Sequence, residues 1–271
     1  MRFKQTLILF GMALLVFSCA ENPFTGKSTL AIMPNSQLFP TAFAQYDQFL
    51  NEHKVVKGTK DAEMIKRVGQ RIAVAAERWL NANGHQGYLT DYKWEYTLVE
   101  DKTANAWCMP GGKIVFYTGI LPIAKSETGV AAIMGHEVAH ALANHGQQRM
   151  SAGILQQAAA VGLNVALKDD ENLELYNQAF GIGSQVGVML PFSRAHETEA
   201  DKIGLYLMAI AGYNPDEGAE LWERMKANSG GQSPPEILST HPSNDSRIAN
   251  LRALAPQAKA EAKKFGVTSF R

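Results

Sequence analysis

One hexapeptide constrains this chain more than any other feature: Gly135-His136-Glu137-Val138-Ala139-His140, an H-E-x-x-H pattern inside an apolar run. An α-helix turns once in about 3.6 residues, so His136 and His140 stand one turn apart on one face and can grip a single metal ion. Glu137 falls about 100° round from His136, near enough to hold a water at the metal without replacing a ligand, which is the position of a general base. An ordinary surface helix with two exposed histidines would need a polar face to carry them. Instead Val130, Ala131, Ala132, Ile133, Met134, Val138, Ala139, Ala141 and Leu142 make the segment apolar nearly all round, the mark of a buried helix. Buried imidazoles need partners, and a metal ion supplies one for each.

A catalytic zinc takes a third protein ligand and leaves its fourth position to water. The segment Ser193-Arg194-Ala195-His196-Glu197-Thr198-Glu199-Ala200-Asp201 opens a second helical stretch that runs to about Gly212. Glu197 and Asp201 are spaced i, i+4 and share a face, whereas Glu199 points about 200° away from Glu197. Only one of the two glutamates can therefore face the histidines together with Asp201. The favoured register has Glu197 as ligand and Asp201 as the carboxylate that orients a metal-bound imidazole. With Glu199 as ligand, Asp201 would leave that face.

H-E-x-x-H followed by S-R-x-x-E-x-x-A-D resembles the gluzincin family of the CAAX prenyl proteases and the HtpX heat-shock proteases. Further similarity, to the soluble branch of BepA- and LoiP-type periplasmic proteases, lies in Asn22-Pro23-Phe24-Thr25-Gly26-Lys27, in Asn105-Ala106 before Pro110-Gly111-Gly112, and in Thr240-His241-Pro242 before Ser246-Arg247. The resemblance implies an α+β, mostly helical, zincin-like fold with a small sheet or hairpin beside the metal helix. It implies one Zn²⁺ held by His136, His140 and Glu197, with Glu137 as the base and Asp201 as proton donor. Orientation of a histidine ligand remains the physical alternative for Asp201.

The 271 residues suit one domain with a sizeable core, and 26 Lys+Arg balance 26 Asp+Glu. That balance offers no basic field for nucleic acid or for an anionic membrane surface. Residues 1–18 carry Arg2 and Lys4, then an apolar run from Leu7 to Phe17, a signal-peptide pattern too short to span a bilayer of about 30 Å. Val16-Phe17-Ser18-Cys19 resembles a bacterial lipobox, so Cys19 is the expected lipidation site. Ala20-Glu21 after it lacks an inner-membrane retention aspartate, which directs the expectation to the outer membrane, facing the periplasm. A lipidated Cys19 leaves Cys108 without an intramolecular disulfide partner. Cys108 reads as a small apolar residue of a strand rather than a ligand.

The expected order is a tether over 19–35, a protease domain over 36–255 and a tail of the closing helix over 256–271. Packing helices are expected over Ser36–His53 and from Thr59 to about Asn83. Alternation through Trp94, Tyr96 and Leu98 predicts a half-buried strand, and Ala104–Met109 with Lys113–Tyr117 predicts a hairpin around Pro110-Gly111-Gly112. The sequence does not say which strand is the sheet edge, although the resemblance favours the segment at Asn105-Ala106 as the place where an extended substrate would pair.

The metal helix should end near Asn144-His145-Gly146. Five residues past His140 on a continuous helix, His145 would lie about 140° off its face, a structural residue. Ser151–Leu167 and Glu171–Met189 predict two helices between the metal motifs, packed as core or lid rather than in a membrane. A helix should start at Asn214-Pro215-Asp216 and run to about Ala227. Ser229–Pro235 predicts a flexible loop, and Ser243–Phe265 a closing helix.

His241, beyond that loop, has two readings: a histidine that caps the last helix or touches substrate, or an imidazole that reaches the open zinc position, displaces the water and acts as an off switch. The resemblance supports the second. The function expected is hydrolysis of peptide bonds in misfolded or misassembled cell-envelope proteins. The alternative is a chaperone or assembly partner for outer-membrane proteins using the same cleft.

Overall fold

The computed structural model describes residues 19–170, 172–185, 189–228, 237, 241 and 245–271. The expected signal peptide over 1–18, the Ser229–Pro235 loop, Thr240 and Pro242 lie outside the described residues. In chain order the elements are β1 (Cys19–Glu21), β2 (Ser28–Leu30), α1 (Asn35–Glu52), β3 (Val55–Val56), α2 (Lys60–Ala82), β4 (Glu95–Val99), β5 (Ala106–Met109) and β6 (Lys113–Tyr117). They continue through α3 (Leu121–Ala124), α4 (Glu127–Leu142), α5 (His145–Ala166), α6 (Leu173–Ser184), α7 (Leu190–Ile210), α8 (Glu217–Asn228) and α9 (Asp245–Lys264). The architecture is mostly helical α+β, as expected.

Two of the helices begin at a side-chain cap. Thr59 caps α2 by accepting from the Ala62 amide, Asp61 and Glu63 occupy its first turn, and Ile65, Val68, Ile72, Ala76 and Leu80 form the buried stripe. Ser126 caps α4 in the same way through the Gly129 amide, and every residue from Gly129 to Leu142 is buried. Helix α4 runs through the centre of the core, flanked by α2, α7 and α8.

Four strands lie in the order β3-β4-β6-β5, with β4 and β6 parallel and the other pairs antiparallel. The predicted hairpin is present, its register pairing Met109 with Lys113. Strand β4 is more enclosed than its alternation suggests. Thr97, on the face read as polar, is buried beside the hydroxyl of Tyr46 at 2.6 Å, because α1 covers that side of the sheet. Strands β3 and β5 are the two edges, and β5 is the one next to α4.

Three findings depart from the expectations. Residues 19–30, read as part of a tether, form a β1–β2 hairpin whose turn buries Asn22. Helix α6 buries none of its residues and α5 buries only those near its start, so these helices stand off the domain instead of packing as core. They leave Val161, Val165, Leu175 and Ile182 exposed. No described helix is long and apolar enough to cross a membrane. The third departure is the path after α4, which ends close to where expected: Asn144 takes a left-handed conformation at φ 56° and the chain restarts at once as α5 at His145, ahead of the expected start at Ser151. Asparagine tolerates that region better than most residues.

The crossing of α4 and α7 positions the site. A Cβ built on Gly135 would lie 2.7 Å from the Gly204 carbonyl oxygen, and one on Gly204 would lie 2.9 Å from the Gly135 carbonyl carbon. The two backbones meet with no side chain between them. That closeness brings the Glu197 end of α7 to the histidines of α4.

Candidate metal centre

His136 and His140 on α4, Glu197 on α7 and His241 converge so that one donor atom from each lies within 4.8 Å of all the others. His136 Nε2 is 3.1 Å from His140 Nε2, 3.1 Å from His241 Nδ1 and 3.3 Å from Glu197 Oε2. His140 Nε2 lies 3.3 Å from Glu197 Oε1, and His241 Nδ1 lies 3.0 Å from both Glu197 oxygens. All four residues are buried. Glu199 faces elsewhere, towards His145 and Asn22. Of the two sequence registers, the structure therefore brings Glu197 to the histidines.

The spacing within this cluster matches that of zinc ligands. His136 Nδ1 lies 3.0 Å from Asp201 Oδ1, an arrangement that places the ring proton of a neutral imidazole on Nδ1 and leaves Nε2 a bare lone pair. That nitrogen faces two further ring nitrogens, a carboxylate oxygen and, at 3.3 Å, Nη2 of Arg247. Tetrahedral zinc with ligand bonds near about 2.1 Å sets its donor atoms about 3.4 Å apart, close to the spacings found here. Two or three imidazoles with a carboxylate are a donor set that zinc favours. The residues present fit a zinc ion.

Electrostatics agree with a cation at this point. Burial opposes charge on His136, yet the carboxylates of Asp201 and Glu197 raise it to about 9. Burial keeps His140 well below its ordinary value. Glu197 is opposed by burial too, but the surrounding imidazoles hold it well below the usual carboxylate range. A metal-free protein thus keeps a proton among donors that a zinc ion would claim.

Sequence reasoning missed Arg247 as a site residue, although Ser246-Arg247 entered the family pattern. From α9 its guanidinium grips Asp201 with two bonds, Nε to Oδ2 at 2.8 Å and Nη2 to Oδ1 at 2.7 Å, and its Nη1 reaches Glu197 Oε2 at 3.1 Å. It stacks over Trp222 of α8 at 3.7 Å from the ring centroid. This fork explains how Asp201 stays ionised while buried: burial would raise its pKa, and Arg247 followed by His136 bring it below the ordinary value. No local spacing relates position 247 to position 201, so only the packing of α9 on α7 could reveal it.

Glu137 is buried, and its Oε1 has no hydrogen-bond partner among the described residues. The contact from that oxygen to His241 Nε2, at 3.5 Å, is too long to count as one. His145 also needs correction. The helix break at Asn144 turns it back onto His140, Nδ1 to Nδ1 at 2.9 Å, so the angle reckoned along an unbroken helix does not apply. Cys108 lies in β5, outside the donor cluster, and Cys19 is exposed in β1.

A cleft of about 450 Å³ beside the cluster is lined by Arg194, Glu197, Asp201 and Arg247. A smaller hollow, about 240 Å³, lies between β5 and α4 and is lined by Trp107, Cys108, Met109, His140 and Asn144.

Comparison with known proteins bears on both chemistry and location. The chain is 39% identical over 174 residues to the mitochondrial metalloendopeptidase OMA1 of Schizosaccharomyces pombe, covering 64% of this chain and 50% of the relative. Identity is 37% over 201 residues to the Saccharomyces cerevisiae protein of the same name, 72% and 56% of the two chains. It is 27% over 172 residues to the beta-barrel assembly-enhancing protease of Escherichia coli, 60% and 35%. The chain spans about half the length of the mitochondrial relatives it matches. The expectation of an outer-membrane location facing the periplasm is overturned by these matches, since the relatives of higher identity are mitochondrial. A lipobox is a short and degenerate pattern, and it carried too much of that expectation. The model of peptidase family M48 matches residues 60–255, spanning the H-E-x-x-H helix, the Glu197 helix and Arg247. The chain belongs to peptidase family M48.

Proposed function

We propose that this protein is a zinc-dependent metalloendopeptidase that cleaves misfolded or unassembled polypeptides presented in extended form. The observation that carries the proposal is the buried carboxylate oxygen of Glu137, unpartnered among the described residues, beside a four-donor cluster. An unsatisfied buried acceptor is costly to keep, by about 1–3 kcal/mol, and a purely structural metal site has no use for it. His136, His140 and Glu197 are the proposed ligands. A zinc ion held by them supplies Lewis acidity and lowers the pKa of water to about 7.

The remaining tasks fall to the side chains around the cluster. Glu137 accepts the proton of the attacking water at Oε1. Asp201, fixed as an anion by Arg247, holds the Nδ1 proton of His136 and so aims Nε2; this favours an orienting role over proton donation. The unpaired edge of β5 offers backbone donors and acceptors to an extended substrate strand, and the hollow between β5 and α4 takes a side chain from it. His241 brings Nδ1 against Glu197 and His136, so it would compete with water for a zinc ion held there and would have to withdraw for hydrolysis. The arrangement describes a latent protease that substrate or another partner opens.

The test is Glu137→Gln with zinc present, assayed on an unfolded protein. The expected result is full zinc content with cleavage lowered by at least about a thousandfold. Near-normal cleavage would remove Glu137 as the base. A wild-type protein that holds unfolded chains with zinc bound but never cuts them would favour the chaperone reading.

A further inference from the structure

Behind His140, away from the donor cluster, lies a second set of polar groups, buried except for the half-buried Glu199, that the proposed chemistry leaves unused. His145 Nδ1 stands 2.9 Å from His140 Nδ1, and His145 Nε2 stands 3.4 Å from Glu199 Oε1. The same Glu199 oxygen accepts from Asn22 Nδ2 at 2.5 Å. Asn22 and His145 are 1% and 0% exposed, so water does not substitute for these partners.

The contacts run in one direction. If His140 turns Nε2 to the metal, its ring proton sits on Nδ1 and must be donated. His145 then accepts at Nδ1 and carries its own proton on Nε2, where only a carboxylate waits. The amide of Asn22 is fixed independently: its Oδ1 accepts from the Phe24 amide at 2.9 Å, so its Nδ2 end is the one that faces Glu199 and, at 3.4 Å, the Ala143 carbonyl. Every tautomer and amide orientation follows from those two ends.

The N-terminal turn is in turn firmly held. The Asn22 amide donates to the Lys27 carbonyl at 2.9 Å, the Gly26 amide returns to the Asn22 carbonyl at 2.8 Å, and Phe24 stacks on Trp79 with centroids 4.4 Å apart. A segment remote in sequence from α7 thereby anchors a carboxylate two residues past Glu197.

We propose that Glu199, His145 and Asn22 are positioning residues for the metal ligand His140, so that the docked N-terminal turn sets the metal affinity of the site. The inference rests on the reading of the cluster as a zinc site. Partners that orient a metal-bound imidazole typically account for about 10–100-fold in metal affinity. Glu199→Ala should therefore weaken zinc binding within that range. Glu199→Gln, which keeps an acceptor oxygen but no charge, should recover part of the loss. Asn22→Ala should weaken binding several-fold, although its position lies outside the family match over 60–255.

The experiment uses the full chain. Zinc affinity is measured by competition with a chromophoric chelator, and the visible spectrum of the cobalt-substituted protein reports ligand geometry. Asn164→Ala, at an exposed α5 residue bonded among the described residues to Ala160 and Asn177, serves as the control and should match wild type. Thermal unfolding in excess chelator identifies any general loss of stability, and affinities are read well below that transition. The expected result is graded loss, Glu199→Ala beyond Glu199→Gln, with altered cobalt bands in Glu199→Ala and Asn22→Ala. Wild-type protein that binds no zinc would refute the site itself. Wild-type protein that binds zinc while Glu199→Ala and Asn22→Ala bind it equally well, with unchanged cobalt spectra, would refute the relay alone.

Discussion

Replacing Gly204 with alanine tests whether the close helix crossing governs the metal site. In a helix interior Gly→Ala ordinarily stabilises by about 1 kcal/mol, because alanine has less backbone freedom to lose. Here the new methyl would lie 2.9 Å from the Gly135 carbonyl carbon, 2.9 Å from the His136 nitrogen and 3.0 Å from the Gly135 oxygen. Ordinary contact begins near 3.4 Å, so α4 and α7 must separate by about 0.5 Å or bear the strain. Overpacking of this kind costs about 1–3 kcal/mol, which outweighs the propensity gain and leaves the metal-free protein less stable by up to about 2 kcal/mol. The metal site is stricter. Glu197 lies two turns before Gly204, and His136 follows Gly135 directly, so the separation falls on the ligands. Metal geometries tolerate about 0.2 Å, and zinc affinity should drop by at least about tenfold. The matching control is Gly153→Ala on α5, where nothing lies within 4 Å of the added carbon and the ordinary stabilisation should appear. Thermal unfolding in chelator and a zinc competition titration give both quantities. If Gly204→Ala gains stability as Gly153→Ala does and binds zinc like wild type, the crossing is not what sets the ligand geometry.

Arg247→Leu should destabilise the metal-free protein by about 3 kcal/mol, since Asp201 and Glu197 lose their buried counter-charge, and Arg247→Lys should restore less than half because a point charge cannot make the fork; denaturant unfolding in chelator that gives wild-type stability for Arg247→Leu would contradict this. Zinc affinity should rise about tenfold per pH unit up to about 9 and then level off, because burial disfavours the His136 proton but Asp201 and Glu197 hold it there until zinc displaces it. By the same linkage, His136 stabilises the metal-free fold fully below its unfolded pKa of about 6.5 and loses that contribution as pH rises through about 9. Calorimetry at pH 7 in two buffers of different ionisation enthalpy should reveal the released proton, and heats that do not depend on the buffer would exclude it. His241→Ala should raise basal proteolysis, self-cleavage included, at little change in zinc content, whereas activity that falls or stays level would show that His241 does not inhibit.

Much of the site was legible because it depends on local periodicity. The i, i+4 spacing of His136 and His140, the offset of Glu137, and the pairing of Glu197 with Asp201 against Glu199 all follow from 3.6 residues per turn, and the structure places each on the anticipated face. The hairpin at Pro110-Gly111-Gly112, the bounds of α2 and the stop of α4 were likewise visible from turn residues and hydrophobic spacing.

What periodicity cannot say is which faces meet, or where the chain goes once a helix stops. His145 illustrates the second limit: the stop at Asn144 was visible, but one left-handed residue redirects everything after it, and the side chain reckoned as facing away closes on His140. Arg247, Asn22 and His241 illustrate the first, since each reaches the site from a segment with no sequence-local relation to α4. The choice of β5 as a sheet edge belongs here too, being a property of strand order rather than of any strand's residues. The sequence by itself determined which side chains share a face, because covalent geometry repeats every turn. Only the tertiary structure decided which of those faces enclose the metal, because that depends on how closely α4 and α7 can approach at Gly135 and Gly204 and on which distant groups neutralise the buried charge.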